Sequence, residues 1–227
     1  MIRALALMAC VLLPVLAAAQ DGPALRPGHA MVDASLVWAG GYDVGSATAQ
    51  LRGNAPGATA PPFTLLRADS RVTPASAALI RVGVALTRTV AIELSASRAR
   101  PRIGVAISAD AEAPVQQLPG ETLQQYQFEG GLNWQLPIRA GRMVPFVSIG
   151  GGHLRQLHED RTLAETGQVY YAGGGARYWL RGGTGASGPW PLGVRSDLRM
   201  TLRRKGIDFE NTMRTYLSVS LALFIGL

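Results

Sequence analysis

Two histidines and a run of charges raise the question of catalysis first. His153, His158, Glu159 and Asp160 fall in one short stretch, with Arg161 directly after them. Histidine beside carboxylates can do general acid–base work, and hydrolysis of lipid or peptide is the chemistry such a set could serve. That chemistry also needs a nucleophile with a definable partner, and the sequence offers none. A His-Glu-Asp-Arg run is more often a solvated loop. The expectation is therefore no catalytic residue, no metal ligand, no cofactor and no enzyme.

The glycine runs Gly150-Gly151-Gly152 and Gly173-Gly174-Gly175 admit a nucleotide-loop reading. Such a loop needs a helix after the run, and none is signalled. Pairing Gly151 with Gly174 would set Ile149 opposite Ala176 and Val147 opposite Tyr178. With those four outward, Arg177 and Ser148 turn inward and no arginine meets lipid. The glycines then mark a smooth patch where facing side chains are large or the sheet curves.

The formal charge is +7, almost all of it arginine, with Lys205 the one lysine. A basic balance can signal nucleic acid. Here the arginines fall in loops and at alternate strand positions, not in one patch, so anionic outer-leaflet lipid is the expected counter-charge and no nucleic acid is expected. Arg3 followed by the apolar run Ala4 to Ala19, ending in small residues before Gln20, reads as a secretory signal peptide over residues 1–19. That run is short of the ~20 residues a helical span needs. Cys10, the chain's one cysteine, falls inside it. Disulfides and thiol chemistry are then not expected. A short polar lead follows over residues 20–30, and residues 31–227 form one unit.

The elements that must position these groups are strands. From Met213 to Leu227 every second residue except Thr215 is apolar, with Arg214, Tyr216, Ser218, Ser220, Ala222, Phe224 and Gly226 between them. A period of two means a strand with one apolar face. Seven more stretches read as strands: Met31–Asp43, Ala78–Thr87, a run from Val90 through Ser97, Leu123–Leu136, Val144–Gln156, Gln168–Leu180 and Val194–Arg204. Val44–Ala75 and Arg100–Glu121 show no sustained period and read as long loops. Arg88-Thr89 reads as a tight hairpin and Pro137–Met143 as a short link. The fold class is all-β, an eight-stranded antiparallel up-and-down transmembrane β-barrel. The two long loops face one way and the short links the other, the asymmetry of outer-membrane barrels.

A soluble lipocalin-like binding barrel would have the same period with its faces exchanged. Strands Leu123–Leu136 and Val194–Arg204 favour the membrane. One face carries Tyr126, Phe128, Leu132 and Trp134, or Leu198 and Met200; the other carries Glu129, Arg195, Asp197, Arg199 and Arg203. Tyr126 and Trp134 are separated by roughly 20 Å of depth, close to the ~25 Å apolar band. Tyr170 and Tyr178 repeat the spacing. Arg81, Glu93, Glu129, Arg177, Arg195, Asp197, Arg199 and Arg203 are expected to form paired charges in a lumen that side chains fill.

The leader, the eight amphipathic strands, the C-terminal strand and Pro145-Phe146 followed by glycines resemble the small outer-membrane β-barrel superfamily of OmpA, OmpX and OmpW-like proteins. This chain has Leu227 where that family's last strand usually ends in Phe, and no peptidoglycan-binding domain follows the barrel, so a wall-anchoring role is not implied. The resemblance implies location in the cell outer membrane. Outer-membrane lipid and lipopolysaccharide are then expected partners, as is the barrel-assembly machinery acting through the C-terminal strand. A structural or surface-interaction role is expected. The alternatives are an outer-membrane hydrolase or lipid-modifying enzyme, and a lateral route for small hydrophobic molecules.

Overall fold

In the computed structural model the described residues are 26–51, 63–110, 114–118, 120–138, 141–158, 163–181, 191–207 and 212–227. The leader over residues 1–19, most of the polar lead and most of the connection between the strands Gln168–Leu180 and Val194–Arg204 lie outside them. Twelve strands are present: β1 (Ala30–Ala39), β2 (Tyr42–Leu51), β3 (Phe63–Val72), β4 (Ala75–Ala85), β5 (Val90–Ala99), β6 (Ile103–Ser108), β7 (Gln116–Leu118), β8 (Gln124–Gln135), β9 (Met143–Leu157), β10 (Ala164–Arg181), β11 (Leu192–Lys205) and β12 (Arg214–Gly226). Eight of them close into an antiparallel barrel in the order β1-β12-β11-β10-β9-β8-β5-β4. Closure removes the exposed edge that a long apolar β12 would otherwise present.

The two expected long loops are a correction. Most of their described residues form a second, four-stranded sheet, β2-β3-β6-β7, that continues from one rim of the barrel. Its stretches, such as Ser46-Ala47-Thr48-Ala49, carry only small side chains on either side, and much of the sheet is open to solvent. Period two is visible only when one face is buried and the other is not, so a sheet wetted on both faces leaves no contrast to read. We call the end that bears this sheet the upper rim. The short turns after β4 and β8 and both described chain ends lie at the lower rim.

Face assignments follow the alternation. Along β12, Leu217, Val219, Leu221, Leu223 and Ile225 are exposed while Tyr216, Ser218, Ser220, Ala222 and Phe224 are buried. Trp38, Ile80, Leu94, Phe128, Trp134, Ile149, Tyr170, Tyr178 and Met200 extend the exposed apolar surface around the barrel. A continuous apolar exterior over a charged interior is the inverse of a soluble barrel. It requires lipid outside.

Tyr42 falls on the same parity as Trp38, which alone would turn it outward, yet it does not face that way. The chain breaks at Gly40-Gly41 between β1 and β2, and Tyr42 comes out buried above the lumen. A side chain on Gly41 would begin 2.6 Å from the Val72 carbonyl oxygen, so the turn needs glycine there. The lower hairpin at Arg88-Thr89 has neither the Asn nor the Gly that tight hairpins favour. Thr87 Oγ1 accepts the backbone N–H groups of Thr89 at 3.2 Å and Val90 at 3.0 Å, a side-chain substitute for a turn residue.

The glycine register is also corrected. Gly151 pairs with Tyr170, and Gly174 with Val147, while Ile149 faces Ala172. The faces hold even so: Ile149, Val147 and Tyr178 are exposed, and Ser148 and Arg177 are buried. The observed register sets Tyr171 beside Gly150 and Gly131, and Phe146 beside Gly175. A Cβ on Gly150 would lie 2.6 Å from the Tyr171 ring, whereas on outward Gly130 it would meet only a Leu94 methyl at 3.3 Å. Gly150→Ala is thus expected to cost about 1–3 kcal/mol through overpacking, and Gly130→Ala to stay within about 0.5 kcal/mol of wild type. Denaturant titration of both variants in lipid vesicles measures the difference.

Candidate functional site

The lumen is organised by one charged belt. Inward positions on β1, β4, β5, β8, β10 and β11 bring together Asp33, Arg81, Glu93, Glu129, Arg177, Arg195, Asp197 and Arg199, all buried. Four cations meet four carboxylates, so the belt is neutral as a set. Arg195 is its hub. Its Nη1 and Nη2 donate to Glu93 Oε1 and Oε2 at 2.7 and 3.0 Å, and its Nε and Nη2 donate to the two Asp197 oxygens at 3.0 and 2.9 Å. Arg177 donates to Glu93 at 2.8 Å, Arg199 to Glu129 at 3.2 Å, and Arg81 to Asp33 at 3.3 Å. Bidentate guanidinium–carboxylate pairs of this kind are geometrically specific. Phe146 sits among the cations, its ring centroid 4.5 Å from Arg195 Cζ and 4.9 Å from Arg177 Cζ.

Apolar groups close the lumen on both sides of the belt. Below, Met31, Ala85, Ala91, Val144, Trp179 and Phe224 pack together. Above, Tyr42, Val44, Val72, Leu123, Ile207 and Tyr216 do the same, with Tyr42 stacked on Tyr216 at 5.5 Å. Arg203 joins this upper cap: its guanidinium lies 4.9 Å from the Tyr42 ring, bonds to Gln156 and donates to the Lys205 carbonyl at 3.1 Å. The cavity left beside the belt, between Gln127, Arg199, Ser218 and Ser220, is about 50 Å³. Side chains fill most of this lumen and hold its charges in place.

The lumen charges expected from sequence are thus all inside, and most share one network. Arg203 stands apart from it, in the upper cap. Asp33 was missed as a member; its alternation with Val32 and Ala34 was the available signal. Of His153, His158, Glu159 and Asp160, read as a solvated loop, the two histidines are described. His153 points outward from β9 and is exposed, while His158 Nδ1 lies 2.9 Å from Glu121 Oε2. Glu121 belongs to a stretch read as loop, so nothing local announced the pair. Glu159 and Asp160 lie outside the described residues.

A trough of about 550 Å³ lies on the upper sheet, lined by Asp43, Arg67, Asp69, Arg71, Gly104 and Arg214, among others. Its floor carries the ladder Arg67–Asp69–Arg71 of β3, flanked by small residues of β6. Arg67 Nε lies 3.1 Å from Asp69 Oδ1 and Arg71 Nε 3.8 Å from Asp43 Oδ1, in pairs open to solvent. Arg214 donates to the Val44 carbonyl at 2.9 Å, joining the sheet to β12. The trough offers guanidinium and carboxylate groups for polar recognition. No histidine lines it, and no group of three His, Cys, Asp or Glu among the described residues could hold a metal.

No protein-family model matches the sequence. Nor does any curated protein. Among solved structures the chain is similar to Neisserial surface protein A, at 11% identity and a TM-score of 0.49 over 87% of this chain and 96% of that one. It is also similar to outer membrane protein OprG from Pseudomonas aeruginosa, at 10% identity and 0.49 over 89% and 96%. A third is outer membrane protein AlkL, at 12% identity and 0.35 over 92% and 93%. By its own closure, its apolar wall and its charged interior, the chain is a small eight-stranded transmembrane β-barrel.

Proposed function

We propose that the protein is a non-enzymatic barrel of the outer membrane with a structural or surface-interaction role, and that the upper sheet is its contact face outside the cell. The observation that carries this reading is the four-stranded sheet with its polar trough, standing on a barrel whose lumen is filled. Short turns at one rim and long excursions at the other give the orientation, because outer-membrane barrels keep their long connections outside. A lumen packed with salt bridges and capped by apolar groups favours a scaffold over a conduit.

The hydrolase alternative would need acid–base groups beside a nucleophile. His158 is engaged with Glu121, and His153 faces away from the lumen on β9. Mass spectrometry of lipid A and outer-membrane peptides separates the two readings. Cells with wild type and cells with a His153→Ala/His158→Ala/Glu121→Ala variant should give the same spectra. A modification present with wild type and absent with the variant overturns the non-enzymatic reading.

A further inference from the structure

The outer wall of the barrel is not uniform. Its outward positions, alternate to those in the lumen, carry four basic side chains: Arg98 on β5, His153 and Arg155 on β9 and Arg204 on β11. None of these outward positions carries a carboxylate. All four side chains lie toward the upper rim, and the outward positions of the adjacent strands β1, β4 and β12 carry no charge. The asymmetry is one of height and also of side.

Strand register brings these groups together. Arg98 pairs with Tyr126, and Tyr126 with Arg155, so the two arginines flank one tyrosine in a row across three neighbouring strands. Neighbouring strands are about 4.8 Å apart, so the two backbones lie roughly 10 Å apart. Arg98 Cζ is 5.7 Å from the Tyr126 ring centroid, leaning along the row. The next row down runs Ala96–Phe128–His153–Gln168–Arg204, and the one below that starts Leu94–Gly130–Gly151–Tyr170. Cations therefore stop where the apolar wall begins.

We infer that this row, Arg98–Tyr126–Arg155 with His153 and Arg204, is a binding site for the phosphate of a phosphorylated glycolipid packed against the β5–β8–β9–β10–β11 wall. The inference rests on the outer-membrane reading above. Guanidinium groups bind phosphate through paired N–H donors, and two arginines about a tyrosine can address one headgroup from both sides. The aromatic ring belongs at the interfacial level. A free anion would gain nothing from the wall beneath. A lipid would also lay its acyl chains on Leu94, Phe128 and Leu132, which are exposed just below.

The test uses the full-length folded protein in phosphatidylcholine nanodiscs containing either bis-phosphorylated lipid A or the same glycolipid without phosphates. Native mass spectrometry after mild delipidation counts the glycolipid retained. Wild type should keep the phosphorylated form, and Arg98→Gln/His153→Gln/Arg155→Gln/Arg204→Gln should keep at least about 10-fold less. Arg88→Gln/Arg181→Gln, which removes charge at the lower rim, should behave as wild type. If the quadruple variant does not fold, Arg98→Gln/Arg155→Gln carries the comparison, with a loss of several-fold. Equal retention by wild type and variant overturns the site, as does equal retention of the dephosphorylated lipid. Inorganic pyrophosphate that displaces the lipid at micromolar concentration overturns the lipid source. Failure of wild type to insert into the discs counts against the membrane reading itself, and is seen separately as an absence of heat-modifiable migration on electrophoresis.

Discussion

Glu93→Ala should destabilise the folded barrel by about 3–5 kcal/mol, because it strips the acceptor from buried cations and leaves them uncompensated. Glu93 receives Arg195 through both carboxylate oxygens and Arg177 through one, and Arg81 Nε lies 3.9 Å away. All of these side chains are essentially closed to solvent. Glu93→Gln keeps the shape and one carbonyl acceptor, so it should cost less than alanine but more than an exposed change. Added salt should rescue neither variant, since ions do not screen a pair they cannot reach. Urea titration in lipid vesicles, read by tryptophan fluorescence, measures the loss. A value below about 1 kcal/mol for Glu93→Ala would mean the belt is not the strut that its geometry implies.

The second large effect belongs to the opposite face. Leu221 is an outward residue near the middle of β12 and is 61% exposed. Leu221→Arg should cost about 2–4 kcal/mol, the depth-dependent penalty of a guanidinium at the bilayer midplane. Thr215→Arg, on the same face near the upper rim, should cost no more than about 1 kcal/mol, because the side chain can reach the headgroups. The ratio between the two is the informative quantity, since both variants add the same charge to the same strand. Equal costs would place the membrane elsewhere on the barrel.

The site groups were legible to different degrees. Alternation around Glu93, Glu129, Arg177, Arg195, Asp197, Arg199 and Arg203 announced an inward face. The pairing of Arg195 with both Glu93 and Asp197 was not announced, because Glu93 is on β5 and reaches β11 only across the lumen. The glycine register shows the same limit. Gly151 opposite Gly174 and Gly151 opposite Tyr170 satisfy the same parity, and only the second fits Tyr171 into the gap over Gly150 and Gly131. His158 shows the limit too: its partner Glu121 lies 37 residues away in sequence, so the run around His158 did not announce it.

From sequence alone came the strand faces, the closed transmembrane barrel and the buried charge, because these depend on a period of two that each strand carries by itself. The tertiary structure decided what depends on several strands at once. It turned most of the described residues within Val44–Ala75 and Arg100–Glu121 into a second sheet, set the strand registers, joined Asp33 to the belt and His158 to Glu121, and aligned Arg98, Tyr126 and Arg155 in one outward row. Hydrophobic contrast is a local quantity and is written in the order of residues. Register is settled only when every strand of the closed barrel finds its neighbours together, and no single strand records that.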